Sequence, residues 1–412
     1  MMTRLELTRA PEVSRLVKIQ NSLYENAHSE PCELKHLAIQ LTQAPNKSTQ
    51  MFGHPEMVPL PFGACQYLDG LDKAQKNILS CLSYAYFYKT VARSEVLALT
   101  ANIDVADRVF PQYSEEWMVL FQETQEEMDH IWSFRKLFNS ILGDASRTET
   151  LNEASYFDND DSSSQTAPSV TKHAEFNPPK VGPIQWWVDW NDTSWQSRHL
   201  YHILYNSKTI SECDIPSTVI GSLYLLHRYI ANLHLKQSES YLFHDADKHD
   251  YNPIALQITH AHASDEARHY TTSLDLGLEL FKHSNKSDQE MIRFFLKHLI
   301  EGHMRNFYLN FSEIVSLGNA GRMTAPYVIG LRCLEAAKHH PHFQADSIDV
   351  MQLARSWNVA KIAQGSSAPV QALRWRYVAK SLERLISSVG IRIDSENTED
   401  GYNRYLAALS AA

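Results

Sequence analysis

The chain has 412 residues, 43% hydrophobic and 21% charged, which is enough apolar material for a sizeable core. A net charge of −10 argues against nucleic acid as the main partner, because phosphate binding needs a basic surface. Glycine is scarce, at 14 residues, which favours long helices over glycine-consuming hairpins.

The N-terminal segment lacks the apolar core of a signal peptide. No run of about 18 apolar residues occurs. A cytoplasmic protein that neither spans nor binds a membrane is therefore expected. The first 60 or so residues are moderately helical and then polar, and Gln43 to Pro61, with four prolines, reads as a loop. A strong helical segment runs from about Asp72 to Asn102. Ile78, Leu82, Ala85, Tyr88, Ala92, Glu95 and Leu99 recur along it at spacings of three and four, one face of a helix. A second helix begins after Ser114, a good N-cap with Glu115 and Glu116 in the first turn. It continues to about Leu142, where Gly143 is suited to end it. Its stripe is Leu120, Glu123, Glu127, His130, Phe134, Leu137 and Ile141.

Asp144 to Glu175 carries seven acidic residues against two basic ones and reads as a flexible connection. The tryptophans at 186, 187, 190 and 195 follow, a density that usually means core packing. A third helix spans about Pro216 to Phe243. A fourth starts at Asn252-Pro253 and runs to about Phe281. Later helical patterns cover about Gln289 to Leu317, Tyr327 to Lys338 and Pro369 to Ser388. The cysteines Cys32, Cys65, Cys81, Cys213 and Cys333 are odd in number and show no CxxC spacing, which argues against both a disulfide framework and a thiolate zinc site.

Two of these helices carry Glu-x-x-His: Glu127-Met-Asp-His130 and Glu266-Ala-Arg-His269. At i and i+3 both side chains leave one helix face, so a carboxylate and an imidazole can bind one metal. A bundle di-metal site needs this pair twice, plus a glutamate from each of two other helices. Glu95 stands 32 residues before Glu127, and Glu239 stands 27 before Glu266. Both separations suit two helices joined by a loop. His262 falls within an arc of about 60° with Glu266 and His269, whereas His260 falls on the far side. A single Glu-x-x-His is ordinary surface decoration. Two pairs facing an apolar core are intolerable without a partner, because unpaired buried charges are costly. Oxygen and nitrogen ligands without thiolate suit iron, or less well manganese. Asp129, Asp265 and Arg268 are candidates to support the ligands or to sit solvated on the surface.

The order Glu95, Glu127-x-x-His130, Glu239, His262-x-x-x-Glu266-x-x-His269 resembles the p-aminobenzoate N-oxygenase family, ferritin-like di-iron enzymes with a third histidine ligand. The resemblance covers about Asp72 to Phe281. It implies an all-α, ferritin-like four-helix core with these seven residues as metal ligands and two iron ions as cofactor. It also implies O2 as co-substrate and oxidation of a small-molecule amine to hydroxylamine, nitroso or nitro products, in specialised metabolism. Electrons must come from an external reductase or ferredoxin, since the chain has no flavin, Rieske or ferredoxin motif. A homodimer is compatible with this reading. The 23 residues from Glu239 to His262 are fewer than the family pattern suggests. The expected organisation is an N-terminal extension over 1–71, a di-iron core over 72–285 with a flexible acidic insertion at 144–182, and C-terminal helices over 286–412. The alternatives are a C–H hydroxylase or desaturase on the same scaffold, and a non-catalytic ferritin-like metal-binding or scaffold protein.

Overall fold

The structure is a computed structural model that describes residues 11–28, 33–43, 54, 71–157, 215–248, 253–308 and 380–392. Every regular element among them is helical: α1 (Pro11–His28), α2 (Glu33–Gln43), α3 (Lys73–Val109), α4 (Glu115–Phe157), α5 (Ser217–Lys248), α6 (Ile254–His283), α7 (Lys286–Tyr308) and a short α8 over 380–389. The all-α, ferritin-like expectation is met. Helix α3 packs on α4 and α5 on α6, and these two pairs pack on each other through α3 with α5 and α4 with α6. Short connections make each pair antiparallel. Helices α1 and α2 lie against α4 and α6, and α7 lies against α5. Helix α8 is held by Arg293 on α7, whose Nε donates to the Val389 carbonyl, and by the Tyr229 hydroxyl, which donates to the Ser381 carbonyl.

Local chemistry explains the helix starts. Asp72 caps α3 by accepting from the Gln75 amide at 2.8 Å, and the Gln75 side chain answers at the Asp72 amide. Ser114 accepts from the Trp117 amide at 3.2 Å and caps α4. Helix α4 does not end at Gly143 but continues to Phe157, so 144–157, expected as linker, is helical. Glycine in a helix interior costs about 1 kcal/mol and does not by itself stop one. The remainder of the expected insertion, the four tryptophans, Tyr327 to Lys338 and the proline-rich loop apart from His54 lie outside the described residues.

The core is divided. One buried apolar cluster takes in Ala101 to Val109 of α3 with the capping Phe110, Leu120 of α4, Val219 to Leu233 of α5 and Leu274 to Phe281 of α6, with α7 and α8 against it. The other takes in Cys81 to Ala92 of α3, Phe134 to Phe138 of α4 and Ala255 to Ala261 of α6, with α2 against it. Along each of α3, α4 and α6 the chain passes from one cluster to the other through a short polar stretch. Those stretches contain Glu95, Glu123 to His130, and His262 to His269. A charged layer thus lies between two apolar ones, shielded from water at both ends.

Candidate metal centre

Each helix delivers its polar residues by the same periodicity that delivers its apolar ones. Glu127 and His130, and Glu266 and His269, are one turn apart on α4 and α6, and His262 lies one further turn back. All seven expected ligands are buried: Glu95 is 5% exposed, and Glu127, His130, Glu239, His262, Glu266 and His269 are 0 or 1%. Six of them form two groups with donor atoms within 4.8 Å of one another. The first group is Glu95, His130, His262 and Glu266. The second is Glu127, His130, Glu266 and His269. The groups share His130 and Glu266, so the two positions are adjacent. Glu266 Oε1 stands 3.5 Å from His130 Nδ1, 3.5 Å from His262 Nε2 and 3.1 Å from His269 Nδ1.

Glu239 belongs to neither group. It meets His262 Nδ1 at 2.7 Å and accepts from the Tyr88 hydroxyl at 3.0 Å. Its Oε2 and His262 Nε2 are buried without a hydrogen-bond partner among the described residues. Unsatisfied buried donors and acceptors are rare and need a reason, and a bound cation supplies one. The donor set also fits by charge, since two divalent ions would neutralise Glu95, Glu127, Glu239 and Glu266. Carboxylate oxygen and imidazole nitrogen without thiolate match iron or manganese.

Without metal, protons do part of that neutralising. Burial pushes the Glu95 carboxyl well up, and the charge of Glu127 pushes it further. Burial opposes ionisation of Glu127 and Glu266 too, yet His269 beside them holds both below the usual carboxylate range. Burial and the neighbouring His262 would lower His130, but Asp265 and Glu127 raise it to about 9. His262 is likewise raised against burial by Glu239, and His269 by Glu266 and Glu127. The imidazoles therefore hold protons where metal would bring positive charge.

A second ring of residues orients the first. His269 Nε2 meets Glu126 Oε2 at 2.9 Å, and His130 Nε2 meets Asp265 Oδ2 at 3.3 Å. In each case the residue preceding one helix's glutamate takes the ring nitrogen of the other helix's histidine. Arg268 ties Glu126 and Asp265 together at 2.6 Å each, and Asn26 of α1 donates to Glu126. Asp265 and Arg268 thus support the site. Asp129 does not: it pairs with Lys35 of α2 at 2.8 Å. His260 is exposed, as its helical position requires.

Helix α5 adds residues that the Glu-x-x-His pattern does not include. Arg228 is 2% exposed and donates to Glu123 and Glu127. Asn232 donates to Glu266 Oε2 at 2.5 Å. An arginine and an asparagine four residues apart in a mostly apolar stretch were the available signal.

Residues 16–317 match the model of a protein family described as acyl halogenase CylC-like. The chain belongs to that family. The match runs from within α1 past the end of α7 and so contains every residue of the polar layer. Membership in the CylC-like family points to an enzyme of oxidative, di-iron-type chemistry, and the buried histidine and glutamate cluster is compatible with metal binding. At that level it agrees with the resemblance of the motif. The chemistry in the family's description is halogenation of an acyl group, not N-oxygenation. No curated protein and no solved structure matches the chain. No helix among the described residues is long and apolar enough to cross a membrane.

Proposed function

We propose that this chain is a di-iron enzyme that uses O2 to replace a hydrogen on an acyl substrate, with halogenation as the leading outcome. The observation that carries the metal reading is the pair of buried donor groups sharing His130 and Glu266. The acyl and halide part of the proposal rests on the family's description. When bound, two iron ions would supply the oxidising power drawn from O2, and Glu95, Glu127, His130, Glu239, His262, Glu266 and His269 would hold them. The chain's own residues do the rest. The apolar clusters on either side of the layer exclude water, which would compete with substrate for any reactive group. Glu126 and Asp265 fix the ring orientation of His269 and His130. Halogenation of R–H consumes one halide ion, one O2, two electrons and three protons, and gives R–X and two waters. The electrons come from an external donor.

N-oxygenation of an amine is the second reading. Its support is His262, a third imidazole within 3.5 Å of Glu266 Oε1. Such a ligand changes the charge and the open positions at one metal. The two readings separate in one experiment. Iron-loaded protein is given reductant, O2 and chloride or bromide, with acyl compounds of several chain lengths, free and activated, in one arm and aryl amines in the other. Products are read by mass spectrometry. A halogenated acyl product with no change in the amines supports the first reading, and hydroxylamine or nitro products alone would replace it with the second. A hydroxylated or desaturated acyl chain without halide would keep the acyl substrate and overturn halogenation. Protein that holds less than about one metal per chain would sink both, in favour of a scaffold.

A further inference from the structure

Helix α5 carries neither Glu-x-x-His pair, yet it reaches both. Arg228 and Asn232 lie four residues apart and so share a face. One donates to Oε1 of Glu127 and the other to Oε2 of Glu266. Close packing of α5 on α6 makes this reach possible. A Cβ at Gly277 would stand 2.8 Å from Leu226 Cδ2, and the Ser222 hydroxyl donates to the Gly277 carbonyl at 2.9 Å.

The contact from Arg228 is more than a structural ion pair. A buried guanidinium needs a counter-ion, and Glu123 already provides one. The second arm goes to Glu127 and fixes the plane of that carboxylate, whose Oε2 then faces His130 Nδ1 at 3.3 Å. Asn232 does the same for Glu266, whose Oε1 is left among the three imidazoles. The donors differ in one respect, since Arg228 is charged and Asn232 is neutral. The carboxylates they hold differ too: Glu127 is in one donor group, and Glu266 is in both.

We infer that Arg228 and Asn232 are positioning residues that orient the two Glu-x-x-His carboxylates for metal and make the two metal positions unequal. The inference rests on the metal-binding reading above. It predicts different failures for the two residues. Losing Asn232 frees a carboxylate used at both positions, and losing Arg228 frees one used at a single position.

The test is titration of the metal-free, full-length protein with cobalt(II), read by visible absorption and by metal analysis after gel filtration. The wild type binds two cobalt ions per chain. Asn232→Ala weakens both by about tenfold or more. Arg228→Gln weakens one only, so that about one ion remains at a concentration that fills both in the wild type, with an altered spectrum. The paired variant Glu123→Gln with Arg228→Gln removes both charges together and gives the same loss of one ion, should Arg228→Gln alone not fold. Tyr224→Phe, on the same helix but bonded to Asn102 at 2.7 Å, keeps both ions at wild-type affinity. The inference is overturned if both variants bind two ions as the wild type does. It also fails if the two variants lose metal alike, or if Tyr224→Phe loses as much. A wild type that takes up no cobalt overturns the metal reading itself, and this inference with it.

Discussion

Glu266 is the residue on which most of the site converges. It lies within 3.5 Å of all three imidazoles and belongs to both donor groups. Glu266→Ala should therefore reduce bound iron from about two per chain to less than one, measured by metal analysis after gel filtration. Glu126 and Asp265 act one step further out, through the ring nitrogens of His269 and His130. Alanine at either should lower metal affinity roughly 10- to 100-fold, read by competition with a chelator. The protons on the imidazoles make a third prediction. With His130 raised to about 9 and His262 and His269 also raised, metal must displace protons to bind. Affinity should rise with pH through the neutral range, and titration in weak buffer should acidify the solution; binding with no proton release would contradict this.

At the scale of the helices, the tightest requirement is the contact of α5 with α6. Gly277→Ala would set a methyl 2.8 Å from Leu226 Cδ2 and 3.2 Å from its backbone nitrogen. Helix propensity favours alanine by about 1 kcal/mol, but overpacking costs typically about 1–3 kcal/mol. The variant should be destabilised overall, by up to about 2 kcal/mol in urea unfolding, and an increase in stability would refute the close approach. Helix lengths were legible where a cap chemistry existed, as at Asp72 and Ser114. They were not legible at Gly143. A glycine there costs helix stability without forbidding the helix, and the residues beyond it are able to continue one.

For the whole molecule, the divided core means that metal and fold are coupled. A buried layer of like-charged carboxylates opposes folding unless protons or cations neutralise it. Metal that binds only the folded chain stabilises it by mass action, by about 2.7 kcal/mol at a hundredfold excess over Kd. Adding ferrous iron anaerobically to metal-free protein should raise Tm by several degrees, and a chelator should reverse the shift. An unchanged Tm would mean that the layer does not hold metal.

Six of the seven candidate ligands could be placed on shared helix faces from sequence, because helical periodicity is local. Glu95, Glu127, His130, His262, Glu266 and His269 each occupy a stripe set by spacings of three and four, and the structure brings these six together. Which family the chain belongs to was not legible in the motif, because spacing fixes which residues face the core and not which substrate the surrounding cavity admits. The second ring was half legible: Asp265, which precedes Glu266, reaches a histidine, while Asp129, which precedes His130, turns to Lys35. Only tertiary packing could decide that, since a side chain one residue from a ligand leaves the helix about 100° away. What it meets depends on the neighbouring helix. The same holds for Glu239, which sits against His262 rather than in either donor group, and for Arg228 and Asn232. Periodicity places a residue on a face, and the approach of α5 to α4 and α6 determines which carboxylate that face meets.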